Sequence, residues 1–249
     1  TVKKFSKFYR KDIKQIPNFF TGELFNNKKF DLITSISMFY DLPDPLKFAK
    51  EINSTLKENG IWHIELSYMP MMIKNLSYDT ICHEHLEYYS LRSLKFLLDK
   101  AELKIVDLSF NQINGGSIAL DVAKKNSKHS EINYLINWVL DNEKRNHYNE
   151  IKRQKHFFKE CINHKYSLKK LLLSLKKQNK KIYGYGASTK GNVILQYCNL
   201  NSKIIPYICE VNKFKFNKYT PGSKIKIISE NKLKKIKPDY LLVLPWHFK

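Results

Sequence analysis

Residues 30–69 read "FDLITSISMFYDLPDPLKFAKEINSTLKENGIWHIELSYM", and their apolar residues follow two different periods. The first seven, "FDLITSI", form a short apolar run rich in β-branched residues, which predicts a buried parallel strand. After it, Asp44 can cap a helix, and Pro45 suits the first helical turn. The helical spacing is carried by Leu46, Ala49, Ile52 and Leu56, and Gly60 predicts the C-terminal end. With "IWHIELSYM" (61–69) as the next strand, the stretch predicts a strand–helix–strand unit.

The same kind of pattern continues to residue 125. Residues 90–101 predict an amphipathic helix capped by Ser90, and residues 103–110 and 117–125 predict two further strands. The sequence "NGG" at 114–116 joins these strands and is a strong signal for the turn of an antiparallel hairpin. Residues 30–125 therefore read β-α-β-α-β-β, which predicts a parallel sheet that ends in an antiparallel hairpin.

The rest of the chain has two further parts. Residues 130–178 are strongly basic and read as helix, so we expect one or two solvated helices that act as a connector. Residues 180–249 return to an α/β pattern, with the strands "KIYGYG", "IIPYICE" and "DYLLVLPW" and the helix "STKGNVILQYCNL". We therefore expect an α/β protein divided into residues 1–127, 128–179 and 180–249.

The charge of the chain raises the question of nucleic acid. The 249 residues include 44 Lys and Arg against 23 Asp and Glu, a net charge of +21. Arg, however, occurs only at positions 10, 92, 145 and 153, whereas proteins that read nucleic acids favour its planar fork. We expect no nucleic-acid partner, and a basic nucleic-acid-binding protein remains an alternative to an enzyme.

Cellular location is indicated by apolar runs and cysteines. No run approaches the ~18 apolar residues of a membrane span, and no secretory leader pattern opens the sequence. The cysteines at 82, 161, 198 and 209 form no CxxC pair and no disulfide-framework spacing. We expect reduced thiols, a cytoplasmic location and no membrane association.

A glycine-rich loop, "IYGYGASTKGN" (182–192), predicts a strand, a tight turn and a helix start. Gly184 and Gly186 would let backbone N–H groups approach an anion at the helix N-terminus, and Lys190 adds a positive charge. Glu210 ends the next strand, near where a dinucleotide-binding unit has its ribose-binding acid. The loop predicts a nucleotide sugar or, in an alternative oxidoreductase, NAD. Glycines required only for packing are the remaining interpretation.

A polar cluster lies in "YDTICHEHLEYYS" (78–90), where Cys82, His83, Glu84 and His85 are consecutive. Zinc would require convergent donors and a second Cys/His pair at ligand spacing, which the sequence lacks, so we expect no metal site here. An imidazole is a natural base for a C–H proton near neutral pH, and a neighbouring carboxylate can orient it. The cluster favours an acid/base site over a polar loop without function.

Taken in order, these motifs resemble the S-adenosylmethionine-dependent sugar C-methyltransferases, which add a branching methyl group to nucleotide-linked keto-sugars. Residues 30–69 resemble the second half of that family's methyltransferase domain. "YDTICHEHLEYYSLRSLKFLL" resembles its signature, "NGGS" its hairpin turn, and "YGYGASTKGN" and "KYTPGSKIKI" its C-terminal domain. The resemblance implies a truncated class I methyltransferase (Rossmann-like) sheet, a helical connector and a second, smaller Rossmann-like α/β domain.

The resemblance also implies a reaction. A base removes the proton next to the ketone of a nucleotide-diphosphate keto-sugar, and the enolate takes the methyl group of S-adenosylmethionine. By resemblance, His85 is the base, Glu84 is its partner and Asp41 is a further candidate near the sugar. Cys82 occupies the position at which the family's signature has a tyrosine. The donor would contact Ser37, Met38, Phe39 and Tyr40. The sugar nucleotide would contact Gly184, Gly186, Ser188, Lys190, Asn192 and Glu210, with Lys190 on the diphosphate.

The sequence also departs from that family. Its members begin with a cysteine-rich zinc-binding domain, followed by a glycine loop and an acidic residue for the methyl donor, and none of these is in the sequence. We therefore expect a piece of a longer enzyme, with zinc, if any, in a further domain. We also expect "FDLITSI" and "IWHIELS" to expose an apolar sheet edge, and residues 30–70 to be less stable than residues 182–210.

Overall fold

The computed structural model describes residues 6–246, in which the chain forms two four-stranded β-sheets, one after the other in sequence. The first sheet is mixed and has the order β1-β2-β4-β3. Strands β1 and β2 are parallel, whereas β4 is antiparallel to both β2 and β3. Its elements are β1 (Phe30–Ile36), α1 (Pro45–Thr55), β2 (Leu56–Ser67), α2 (Met69–Lys74), α3 (Leu91–Lys100), β3 (Leu103–Asn111) and β4 (Ser117–Lys124). The expected parallel unit and the closing antiparallel hairpin are both confirmed.

The second sheet is parallel throughout and has the order β7-β6-β5-β8. Counted from β5, this is the 3-2-1-4 order with which a Rossmann sheet begins. The elements after the first sheet are α4 (Asn133–Arg145), α5 (Ile151–Lys177), β5 (Ile182–Tyr185), α6 (Thr189–Tyr197), β6 (Tyr207–Glu210), β7 (Lys226–Ser229), α7 (Glu230–Ile236) and β8 (Tyr240–Val243). The expected α/β class is therefore confirmed for both parts.

Side-chain caps fix the starts of two helices of the first sheet. The Asp44 carboxylate accepts a hydrogen bond from the Lys47 amide (2.9 Å), as the sequence predicts. Ser90 accepts from the Ser93 amide (3.3 Å), and the Ser93 hydroxyl accepts in return from the Ser90 amide (3.0 Å). This reciprocal pair is a capping box, which satisfies two amides that a helix start otherwise leaves without partners.

The predicted end of α1 at Gly60 is wrong. The helix ends at Thr55, and wholly buried Leu56 already belongs to β2. Gly60 lies inside β2, where a Cβ atom would come within 2.7 Å of the Phe30 carbonyl oxygen. The glycine therefore permits a close approach of two strands, next to the register shift between Phe30 and Leu32.

Three elements of the structure were not predicted from the sequence: the short helix α2, strand β7 and helix α7. Both β7 and α7 lie in the lysine-rich stretch after "KYTPGS", where the charges hide the periodicity. The signal was present nonetheless, because Ile227 and Ile228 are buried in β7 and Ser229 caps α7 by accepting from the Lys232 amide (3.4 Å). Within residues 6–246, no helix has the length and apolarity that crossing a lipid bilayer requires.

Each sheet has its own hydrophobic core, and a third cluster lies between them. The core of the first sheet includes α1, α3 and buried residues of α4, and the core of the second includes α5 and α6. The third cluster contains Met72, Ile73, Tyr78, Tyr148, Phe157 and Cys161. Helices α4 and α5 thus bury apolar residues in these cores, so they do more than connect the two parts.

Strand β1 is an edge of the first sheet. Within the described residues it pairs with β2 alone, and its Leu32 and Ile36 are 60% and 51% exposed. The expected apolar edge is confirmed for β1. It is wrong for β2, which is paired with β1 on one side and β4 on the other.

Candidate functional site

The polar residues of interest come together where the carboxyl end of β1 faces the start of α6. We call the group formed by Tyr40, Asp41, Cys82, Glu84, His85 and Lys190 the His85 cluster. The amides of Leu86 and Glu87 both donate to the Tyr40 carbonyl (2.9 and 3.1 Å), which holds the segment after His85 against the turn that follows β1. The carboxyl edge of a parallel pair is where α/β sheets usually bind ligands.

His85 is half-buried and has a ring neighbour. Its imidazole lies 4.3 Å from the Tyr40 ring, measured between centroids, and the Thr80 backbone carbonyl lies where it can accept a hydrogen bond from the imidazole. Burial lowers the pKa of His85, and Asp41, Thr80 and Glu84 counteract this while Lys190 lowers it further. The net effect favours a neutral imidazole. A neutral imidazole has one unprotonated nitrogen, which can accept a proton.

Asp41, and not Glu84, is the carboxylate that acts most on His85. Among the charges around the imidazole, Asp41 has the largest effect on its pKa and Glu84 the smallest. Burial raises the pKa of Asp41, His85 lowers it and Glu84 raises it again, so the three groups act on one another. Glu84 is exposed to solvent, which explains its smaller effect.

The remaining members of the consecutive Cys-His-Glu-His run are less suited to chemistry. Burial raises the pKa of the Cys82 thiol, and this keeps the thiol protonated near neutral pH. His83 is exposed. In the part of the chain that the structure describes, no three His, Cys, Asp or Glu side chains converge as a metal site would require.

The residues expected at the methyl donor follow β1 directly. Ser37 has a left-handed backbone (φ 52°), and its amide donates to the Glu65 carbonyl (2.8 Å). Phe39 is wholly buried against Phe48, Trp62 and Tyr89, so its side chain serves the core. Tyr40 is also buried, whereas Ser37 and Met38 keep partial exposure. Any ligand at this turn would meet chiefly Ser37, Met38 and backbone atoms.

Lys190 connects the second sheet to the first. Its Nζ donates to the carbonyl of Asn114 (2.8 Å), in the turn between β3 and β4, and the Asn114 amide group donates to the Ser37 hydroxyl (3.3 Å). Burial lowers the pKa of Lys190, while Asp79 and Cys82 raise it. Sequence analysis placed this ammonium on a diphosphate. In the structure it binds the turn of the first sheet, and its positive charge acts on His85.

The glycines of the loop after β5 face atoms of the chain itself. A Cβ at Gly184 would lie 2.7 Å from Ile208 Cγ1, and one at Gly186 would lie 2.5 Å from Pro245 Cδ. Gly186 also has a φ of 85°, in the left-handed region that favours glycine. Packing therefore requires glycine at 184, and packing and backbone conformation both require it at 186, whether or not a phosphate binds there.

The other residues expected at the sugar nucleotide have structural partners as well. Ser188 caps α6 by accepting from the Gly191 amide (2.9 Å). Glu210 accepts from the amides of Ala187 (3.0 Å), Val211 (2.8 Å) and Asn212 (3.0 Å) and from Lys215 Nζ (3.3 Å). Burial alone would raise the pKa of Glu210, but these donors hold it below its ordinary value. Asn192 Oδ1 is buried and has no hydrogen-bond partner among the described residues.

Three residues near the cluster were missed by sequence analysis: Tyr78, Asp79 and Asn114. Tyr78 and Asp79 are buried, and Trp246 Nε1 donates to Asp79 Oδ2 (2.9 Å). No local signal marked Asp79, because the residues around it in the sequence are mostly polar. Asn114 was read only as a turn residue, which its φ of 57° agrees with.

Comparison with known proteins agrees with the resemblance. Residues 112–249 match the family described as "C-methyltransferase C-terminal domain", and residues 3–108 match the one described as "Methyltransferase domain". The C-methyltransferase NovU of Streptomyces niveus is 29% identical over 217 residues, which cover 87% of this chain and 51% of NovU. The chain thus spans about half the length of this curated relative.

Solved structures give weaker similarities. An S-adenosylmethionine-dependent methyltransferase from Clostridium acetobutylicum has a TM-score of 0.34 at 18% identity, over 49% of this chain and 68% of that one. An O-methyltransferase from Brevibacillus brevis, in complex with S-adenosyl-L-homocysteine, has a TM-score of 0.33 at 11% identity, over 55% of this chain and 56% of that one.

Proposed function

The chain belongs to the family of the C-methyltransferase C-terminal domain, and from this premise we propose that it takes part in S-adenosylmethionine-dependent methylation of a carbon next to a ketone in a nucleotide-linked keto-sugar. The observation that carries the proposal is His85, a half-buried imidazole beside Asp41 at the carboxyl edge of the first sheet. The reaction needs a neutral base at the substrate carbon, and burial favours the neutral form of this group.

In this mechanism the chain's residues have distinct tasks. His85 accepts the proton from the carbon next to the ketone, because burial keeps its imidazole neutral. Asp41 stabilises the imidazolium that results, because its carboxylate raises the pKa of His85. Phe39 and Tyr40 anchor the turn that carries Asp41 in the core, so the base and its carboxylate keep their relative position.

S-adenosylmethionine, when bound, supplies an electrophilic methyl group on a sulfonium. The residues after β1 fit one wall of a site for it, because Ser37 and Met38 are partly exposed at the carboxyl edge of the sheet. The Ser37 hydroxyl and the backbone of this turn are the groups that would hold the donor on this side.

The nucleotide end of the substrate belongs, in this proposal, to the second sheet. Residues 1–127 carry the base, residues 180–249 carry the loop after β5 and Glu210, and residues 128–179 join them. The order of the second sheet reverses at β5, the position at which open α/β sheets bind nucleotides. Gly186, Ser188 and Asn192 border that position, and the buried Asn192 Oδ1 without a partner is a group that a ligand could satisfy.

The test is methyl transfer by the full-length enzyme that carries His85→Asn, measured by mass spectrometry of nucleotide keto-sugars incubated with the donor. We expect turnover to fall by about 10²–10⁴-fold, the usual contribution of a general base. His83→Asn is the matched control, because His83 lies two residues away and is exposed. Normal turnover in His85→Asn would contradict the assignment of the base.

The order of the second sheet also favours a second candidate, an NAD-dependent oxidoreductase, since dinucleotide-binding proteins share it. Fluorescence titration with NADH separates the two. The methyltransferase proposal expects no saturable binding. An oxidoreductase expects saturation, and that saturation should be lost in Lys190→Gln if the positive charge of the loop holds the pyrophosphate.

A further inference from the structure

We propose, on the basis of the function proposed above, that Lys190 is a catalytic residue whose ammonium stabilises the charge that develops on the substrate's carbonyl oxygen. The reaction centre is then assembled from both sheets, with the base from the first and the cation from the second. This role differs from a contact to the diphosphate, which the glycine-rich sequence around Lys190 suggests.

The direction of the side chain is the first argument. Lys190 lies in the first turn of α6, directly after the loop that follows β5. Its Nζ nevertheless donates to the Asn114 carbonyl (2.8 Å), in the turn of the first sheet, and Asn114 in turn contacts Ser37 at the end of β1. The ammonium therefore lies at the carboxyl edge of the first sheet, where the proposed base is.

The charges around Lys190 are the second argument. Asp79 is buried, and Trp246 Nε1 holds its carboxylate through Oδ2 (2.9 Å). The negative charge of Asp79 favours the ammonium form of Lys190 against the effect of burial. A cation removed from water in this way acts strongly on a nearby developing charge, because solvent screens it little.

The third argument is the relation between Lys190 and His85. The charges of Lys190, Asp41 and Glu84 all act on the pKa of His85. The Tyr40 ring packs on the imidazole ring of His85. In a ketone the oxygen is only two bonds from the α-carbon, so a base at the carbon and a cation at the oxygen must be neighbours. An ammonium has three N–H donors, and Asn114 accepts one of them.

The step balances without any further reactant. The proton of the α-carbon moves to the unprotonated nitrogen of His85. The electron pair of the broken C–H bond becomes the C=C bond of the enolate, and the π pair of the carbonyl moves onto the oxygen, beside Lys190. The carbonyl then re-forms, the C=C pair makes the new C–C bond to the methyl group, and the methyl C–S bond breaks with its electron pair left on the sulfur of the departing neutral thioether. The imidazolium afterwards loses its proton to solvent.

The position of Lys190 can be tested without substrate. NMR titration of His85 in the Lys190→Gln variant should give a higher pKa than in the wild type, because a positive charge beside the imidazole has been removed. Lys215→Gln is the matched control, since Lys215 binds the Ala187 carbonyl in the same loop but is not among the leading causes of the pKa shift of His85. An unchanged pKa in Lys190→Gln would overturn the proposal.

Kinetics then separate the reaction centre from the diphosphate. We expect Lys190→Gln to lower kcat by about 10²–10³-fold, with KM for the sugar nucleotide little changed, because the contact is made in the transition state. Lys190→Arg keeps the charge and should recover part of the rate. A raised KM at normal kcat overturns the role of Lys190 alone. These rates are measured in the full-length enzyme. A full-length wild-type enzyme that transfers no methyl group overturns the proposed function, and this proposal with it.

Discussion

At the scale of single residues, the candidate base is controlled by charges from three separate parts of the chain. Asp41 follows β1, Glu84 is adjacent to His85 in sequence, and Lys190 comes from the second sheet. Asp41 and Glu84 raise the pKa of His85, whereas Lys190 and burial lower it. The pKa of His85 can therefore be changed in either direction by mutation, because each charge can be removed without removing the imidazole.

We predict that Asp41→Asn moves the acid limb of the kcat/KM pH profile to lower pH. Loss of the carboxylate removes the largest charge that raises the pKa of His85, so the imidazole stays unprotonated at lower pH. The same change makes His85 a weaker base, so the plateau rate should fall. Glu84→Gln is the matched control and should shift the limb in the same direction but less. A larger shift in Glu84→Gln would contradict the conclusion that Asp41 affects the pKa of His85 more than Glu84 does.

The sequence identified His85 but not the order of its partners. Adjacency in the chain suggested Glu84, since the two are consecutive. The structure gives the larger effect to Asp41 because Glu84 points into solvent while the turn after β1 holds Asp41 beside the imidazole. Such a contact joins segments more than forty residues apart, and no local pattern in the sequence encodes it.

At the scale of secondary-structure elements, one buried carboxylate ties α4 to α3 and to the end of β2. Glu143 of α4 is 2% exposed and accepts four hydrogen bonds. The donors are the Tyr68 hydroxyl (2.5 Å), the Leu91 amide (2.6 Å), the Arg92 amide (3.3 Å) and Asn149 Nδ2 (3.0 Å). The amides belong to the first turn of α3, so Glu143 also complements the positive end of that helix.

We predict that Glu143→Gln lowers the free energy of unfolding by about 2–4 kcal/mol, because the amide group of glutamine turns two donors toward groups that are themselves donors. Urea unfolding followed by circular dichroism measures the change. Glu150→Gln makes the same substitution nearby, on an exposed side chain paired with His147, and should cost less than about 1 kcal/mol. Equal losses in the two variants would show that the buried network is not what stabilises this region.

The elements themselves were largely predictable, because their signals are local. Asp44 and Ser90 cap the helices that their positions predicted, and "NGG" forms the hairpin turn. Gly60 misled because a glycine after a helical pattern usually ends the helix, whereas here it allows β2 to pass close to the Phe30 carbonyl. That requirement comes from the neighbouring strand and is invisible in the sequence of α1.

At the scale of the whole molecule, Tyr78 is central to the contact between the two sheets. Its hydroxyl lies 2.9 Å from His164 Nδ1 on α5 and 3.4 Å from Cys198 Sγ at the end of α6, and its ring packs on Tyr197. Tyr78 directly precedes Asp79, whose negative charge raises the pKa of Lys190. The contact that joins the sheets is therefore continuous with the residues proposed to form the reaction centre, and loosening one should disturb the other.

We predict that this contact makes the protein less stable in mild acid, and that His164→Asn reduces the effect. Burial lowers the pKa of His164 in the folded chain, and Asp79 only partly counteracts this. The unfolded chain, with an ordinary histidine pKa of about 6.5, then binds the proton more readily, so stability is present above that pH and is lost as the pH falls below it.

In the variant His164→Asn, the asparagine keeps an acceptor for Tyr78 but cannot be protonated. Unfolding free energies measured between pH 7 and pH 5 should therefore fall less in His164→Asn than in the wild type, with the remaining fall due in part to His85, whose pKa is lowered in the same direction. His156→Asn, on the same helix but 56% exposed, is the control and should behave as the wild type. If His164→Asn loses as much stability in acid as the wild type, the half-buried imidazole of His164 is not the group that senses the pH.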